Sequence, residues 1–173
     1  MARDAAASAN RKTEIISAAI EVFAEIGYFR ATTAQVAERI QISQPYIFRF
    51  FASKEALLLA ALEASWSRVI EAFRQVVATF PAERLESELI DAYDRIVLSH
   101  RHEILLQMRA QTIQEDTIRE AMRQGLGEVR TIVLEAFRKA GIADPEGRTL
   151  LFLARGMLCN VSIALGMPEL MEK

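Results

Sequence analysis

Between Gly27 and Ser53 the chain carries so many helix-stop and helix-start signals that no long element fits there. A glycine placed as Gly27 is ends a helix in the left-handed conformation that side chains resist. Thr32 or Thr33 can cap the next helix, and Thr32 with Gln35 has the capping-box spacing. Ser43 caps a third helix, and Pro45 in its first turn removes an N–H that has no intrahelical partner. Ser53 then caps a fourth. The two helices in this interval are too short to be stable alone. They hold only by packing on longer neighbours, and Phe48-Arg49-Phe50-Phe51 reads as the anchor. Ile47, Phe48 and Phe51 are expected to face inward, and Gln44, Tyr46, Arg49 and part of Phe50 outward.

Upstream, Asn10 reads as the cap of a first helix, with Glu14 in its first turn and an apolar stripe at Ile15, Ala19, Val22, Phe23 and Ile26. Val36, Ala37 and Ile40 give the second helix its buried side. Lys54 and Glu55 open a long fourth helix that reaches about Thr79 and is closed by Pro81. Helical patterns follow at about 83–99, 102–113, 116–140 and 145–165; Gly141 ends one of these, and Asp144 before Pro145 caps the last. Nothing reads as a strand, and only 4 prolines and 7 glycines interrupt the chain, which favours long helices. The expected fold is all-α. An N-terminal three-helix helix-turn-helix module, residues 1–54, is joined by the long fourth helix to a C-terminal helical bundle, residues 55–173.

Charge and composition bound the function class less tightly. The net charge of −2 by itself argues against nucleic acid. Residues 1–54 carry +2 and residues 55–173 carry −4, an asymmetry that two solvated surfaces produce as readily as a DNA-facing module. Cys159 alone cannot form an internal disulfide, which fits a reducing cytosol. Arg3 and Asp4 lead only into a short Ala and Ser run, so no secretory leader is expected. The longest unbroken apolar run, 56–62, is far below the roughly 20 residues of a membrane-spanning helix, so no membrane is expected as a partner.

Enzyme chemistry finds little support. His100, His102 and Glu103 invite a metal reading, yet helix positions two apart face different sides, and no second ligand cluster has supporting spacing. Gly125-Leu126-Gly127 lacks the further glycine and the strand-helix setting of a nucleotide loop. Cys159 on an apolar helix reads as packing. No catalytic residue, metal or cofactor is expected. Two short helices joined by a tight turn, the second with an outward polar face, form the helix-turn-helix pattern; an ordinary three-helix packing unit has the same spacing. A structural adaptor would leave the Gln44, Tyr46 and Arg49 face unexplained.

The stretch Ala31-Thr32-Thr33-Ala34-Gln35-Val36-Ala37-Glu38-Arg39, then Ile42-Ser43 and Ile47-Phe48-Arg49-Phe50-Phe51-Ala52-Ser53-Lys54-Glu55-Ala56-Leu57, resembles the N-terminal DNA-binding region of the TetR family of bacterial transcriptional repressors. The resemblance covers about residues 11–62. It implies a repressor on double-stranded, palindromic operator DNA, released by a small-molecule effector. Thr33 and Lys54 would contact phosphates, and Gln44, Pro45 and Tyr46 would lie toward base edges. Ser43, Arg49 and Phe50 complete the expected DNA face. Three departures stand out. Gln41 occupies a turn position where the family usually has Gly, and a left-handed backbone there would cost about 1 kcal/mol. Phe48 and Phe50 lack the polar tip common at their positions, which either shifts phosphate contact toward Arg49 and Lys54 or weakens binding.

Past residue 55 the helices bear apolar residues on more than one side, as either a dry core or an apolar pocket does. The resemblance favours a pocket. Its candidate lining is Trp66, Phe73, Tyr93, Gln107, Met108, Gln111 and Asn160, and few inward charges suggest an apolar or amphipathic effector. The last helix is apolar over more of its circumference than one stripe covers. A two-fold homodimer through Leu150, Met157, Val161 and Leu165 would cover it, with Gly156 and Ala164 allowing close approach; a ninth helix beyond Lys173 would do the same within one chain.

Overall fold

The computed structural model describes residues 2–171; Met1, Glu172 and Lys173, which include the outer limits of both expected domains, lie outside the described residues. Eight helices follow in order: α1 Ala2–Ile26, α2 Thr33–Arg39, α3 Gln44–Ile47, α4 Lys54–Thr79, α5 Ala82–Ser99, α6 Arg101–Ala110, α7 Asp116–Lys139 and α8 Pro145–Leu165, then a 3-10 turn Pro168–Leu170. The described residues contain no strand. The fold is all-α.

Side chains fix several of the starts. Thr32 Oγ1 accepts from Gln35 N at 3.2 Å while Gln35 Oε1 accepts from Thr32 N at 2.9 Å, a closed capping box. Ser53 Oγ accepts from Ala56 N at 3.0 Å, and Asp144 Oδ1 from Gly147 N at 3.1 Å. Ser43 stands at the cap position of α3 but makes no side-chain cap bond. Asn10 is not a cap. It lies inside α1, donating to Glu14 Oε1 at 3.2 Å, because the alanine-rich stretch before it carries the helix back to Ala2. At the other end, α6 stops at Ala110 rather than Ile113, whose N–H closes a turn onto Ala110 O.

The α2–α3 turn shows what the missing glycine entails. Gln41 sits at φ +55°, its N–H bonding Glu38 O at 3.1 Å while Ile42 N bonds Ala37 O at 3.0 Å. This is a Schellman close with a side chain at the position glycine favours. The α3 anchor is smaller than the sequence suggests. Ile47 and Phe51 are buried, but Phe48 is 48% exposed. Phe51 lies one turn from Ile47 on the same side, whereas the next residue, Phe48, is rotated about 100° toward solvent.

Two apolar clusters share the molecule. One joins α1, α2 and α3 to the start of α4 and takes in Leu106 of α6 and Ile118 of α7. The other fills the space between the rest of α4, α5, α7 and α8, around Phe73, Leu89, Phe137 and Phe152. Trp66 packs against both. α8 is long and apolar enough by length and composition to cross a membrane, which counting unbroken runs did not reveal. Its Arg148 and Arg155 pair with Glu86 and Asp94 of α5.

Candidate functional site

On α3 and at its two ends, Ser43, Gln44, Pro45 and Arg49 are exposed, and Tyr46 is half-buried. Three contacts hold this face in shape. Gln44 Nε2 donates to Thr33 Oγ1 at 2.8 Å; the Arg49 guanidinium lies 5.2 Å from the Tyr46 ring centre; and the Phe50 ring meets Tyr46 edge-on at 5.5 Å. Gln44 keeps its amide oxygen and a second N–H to offer, the pair that reads adenine in a major groove. Thr33 is only 6% exposed, so its hydroxyl orients Gln44 from behind. Phe50 props Tyr46 in the same manner. Thr33 and Phe50 therefore support the face, and Gln44, Pro45, Tyr46 and Arg49 present it.

Lys54 begins α4, separated from the end of α3 by six residues. Its Nζ donates to Tyr28 O at 2.8 Å and Ala31 O at 3.1 Å and stands 4.6 Å from the Tyr28 ring centre. The ammonium thus satisfies two carbonyls in the α1–α2 connection and retains one N–H for an outside anion. Arg39 is different. Glu21 and Glu25 of α1 hold it at 2.8 and 2.7 Å, so its charge is neutralised within the module.

A cavity of about 410 Å³ opens in the bundle, within the usual range for a small-molecule site. Six of the sequence candidates line it: Trp66, Phe73, Tyr93, Gln107, Gln111 and Asn160. Met108 is not among its lining residues; its sulfur faces Gln111 Nε2 at 3.8 Å. Tyr93 OH donates to Asn160 Oδ1 at 2.7 Å, and burial pushes its phenol up to about 12, with the Asn160 bond opposing. Gln107 Nε2 donates to Ser65 Oγ at 3.1 Å. The Trp66 indole lies flat against α7 where Gly125 has no side chain: a Cβ there would stand 2.3 Å from Trp66 Cδ2. The expectation of few inward charges fails, because Arg119, Arg123 and Arg155 also line the cavity. Arg119 and Arg123 are one helical turn apart beside Met122 and Leu126, a spacing that marks one face of α7. In sequence their alternation with Glu120 and Gln124 reads as a solvated surface.

The α8 face divides. Leu150, Leu151, Leu158 and Leu165 are exposed, whereas Met157 is half-buried and lines the cavity, and Val161 is half-buried.

Residues 15–61 match the family model for bacterial regulatory proteins of the tetR family. These residues place the N-terminal part of the chain in the TetR family. The HTH-type transcriptional regulator HbdR of Aromatoleum sp. strain CIB is 30% identical over 106 residues, covering 58% of this chain and 44% of that protein. The HTH-type transcriptional regulator RutR of Escherichia coli K12 is 35% identical over 83 residues, covering 46% and 39%. The chain thus matches less than half the length of these two transcriptional regulators. Solved structures extend the likeness to the whole fold. The fatty acid degradation regulator FadR from Bacillus halodurans superposes with a TM-score of 0.75 at 17% identity, covering 89% of this chain and 88% of that one. FadR from Bacillus subtilis, in complex with stearoyl-CoA, gives 0.74 at 17% identity with the same coverage. The ketosteroid regulator KstR2 of Mycobacterium tuberculosis gives 0.72 at 17%, covering 89% and 82%.

Proposed function

We propose that this TetR-family chain is a ligand-responsive transcriptional repressor. Residues 1–54 form the module that reads operator DNA, and residues 55–173 form the bundle that holds a small effector and a partner subunit. One observation carries the reading: α4 starts at Lys54, separated from the end of α3 by six residues and tied to the α1–α2 connection, and runs without a break to Trp66, Val69 and Phe73 in the cavity wall. Twelve residues of helix separate Lys54 from Trp66, a span of about 18 Å. A ligand that displaces Trp66 therefore pushes on the same rigid element that anchors the DNA face. The apolar walls suit an apolar or amphipathic effector, and two fold relatives bear names or ligands of that kind. A single short recognition helix reads too few base pairs to be selective, so the regulator acts as a two-fold dimer on a palindrome, with the exposed α8 leucines as the interface.

The test is selection of bound fragments from genomic DNA, followed by titration of the recovered sequence with variants. Gln44→Ala and Tyr46→Ala should each relax base preference by roughly 1–3 kcal/mol at one or two positions. Arg49→Ala should weaken all sequences alike and lower the salt slope by about one. No selected fragment, or no change in base preference for either α3 variant, would sink the reading.

A further inference from the structure

The charges lining the cavity are all of one sign. Arg119, Arg123 and Arg155 line it, and no carboxylate does. Arg155 is neutralised by Asp94, which accepts from its two terminal nitrogens at 3.2 and 3.0 Å. The other two arginines are weakly held. Arg119 pairs with Asp116, whose side chain is 90% exposed, and Arg123 reaches Glu120 at 3.6 Å with both side chains more than half exposed. Exposed pairs of this kind are loose and exchange readily with solvent. A second feature is independent of charge. Arg119 Nε and Trp66 Nε1 are buried donors that find no acceptor among the described residues, and both belong to cavity-lining residues. Buried donors in native proteins are almost always matched.

We propose that the cavity takes an amphipathic carboxylate, its apolar body against Trp66, Phe73 and Phe152 and its head on Arg119 and Arg123. The head gives Arg119 Nε the acceptor it lacks and turns two loose ion pairs into charge-assisted bonds to a planar oxyanion, the geometry guanidinium groups match best. An oxygen near the head accepts from Trp66 Nε1. Cationic amphiphiles are excluded by the two arginines, and neutral ones leave them unmatched. This inference rests on reading the cavity as the effector site and adds the chemical class of the effector.

The experiment compares three ligands with one tail: decanoate, decanol and decyltrimethylammonium, each below its micelle threshold. Trp66 is the only tryptophan, so its emission reports the cavity directly. Decanoate should bind roughly tenfold or more tighter than decanol, the worth of one charge-assisted bond, with the ammonium weakest. In the Arg119→Gln/Arg123→Gln variant the decanoate-to-decanol ratio should fall to about one. Arg123→Gln alone, at a mostly exposed position, should lose part of the ratio. Decanol matching decanoate, or an undiminished ratio in both variants, would overturn the carboxylate head while leaving the effector pocket standing. Binding of none of the three would overturn the inference and remove support for the pocket with it.

Discussion

Gly125 is the position where one methyl group tests the cavity wall. A Cβ built there lies 2.3, 2.4 and 2.5 Å from Cδ2, Cγ and Cδ1 of Trp66, where carbon atoms in contact prefer about 3.5–4.0 Å. The indole, or α7 itself, must therefore retreat by roughly 1 Å or more, and overpacking of this kind costs about 1–3 kcal/mol. Gly127, in the same helix, supplies the control: a Cβ there meets nothing within 4 Å. Gly127→Ala gains only the helix-propensity term, about 0.5–1 kcal/mol, or about 1–4 °C in melting temperature for a chain this long. Gly125→Ala gains the same term and suffers the clash, so it should lie about 1–3 kcal/mol below Gly127→Ala. That corresponds to a melting temperature roughly 2–12 °C lower. Thermal unfolding followed by circular dichroism gives the difference, and Trp66 emission should shift in Gly125→Ala alone. Equal stabilisation by both alanines, with Trp66 emission unmoved, would refute the packing described for this wall.

Gln41→Gly should raise the melting temperature by about 1–4 °C, because relief of a left-handed side-chain residue, about 1–2 kcal/mol, is partly offset by the freedom glycine adds to the unfolded chain. Tyr93 is held protonated by burial with its folded value up at about 12. A raised folded value means that its contribution is complete below the ordinary tyrosine range and is lost as pH climbs toward 12. Wild-type stability should therefore fall more steeply than that of Tyr93→Phe across that interval in urea titrations. Leu151→Glu with Leu158→Glu should give a folded monomer with weakened operator affinity; a dimer persisting in sedimentation would move the interface off α8.

Much of the fold was legible because caps and breakers are local signals. Thr32 with Gln35, Ser53, and Asp144 with Pro145 each announce a helix start through chemistry contained within four residues. Asn10 misled for the same reason. A good cap residue inside a strong helix former is indistinguishable in sequence from a real start. Phe48 misled because a four-residue helix offers too little periodicity to tell an inward from an outward aromatic. The cavity was half legible. Trp66, Phe73 and Tyr93 announce themselves by apolar spacing, but Arg119 and Arg123 carry no such mark. Nor does Gly125, whose role depends on an indole from a helix nearly sixty residues earlier in sequence. The internal partners of Thr33 and Lys54 were hidden too, because they lie 11 and 23–26 residues away along the chain.

The most direct test of the central claim, that α4 couples the cavity to the DNA face, is a linkage measurement in one solution. An amphiphile that saturably shifts Trp66 emission is titrated against the protein with and without its selected operator fragment. DNA affinity is measured with and without the amphiphile. Coupling of binding free energies is reciprocal, so the factor by which the amphiphile weakens DNA binding must equal the factor by which DNA weakens amphiphile binding. A regulator built as described gives matching factors of roughly 5–150. Saturation of the Trp66 signal with DNA affinity unchanged would contradict it.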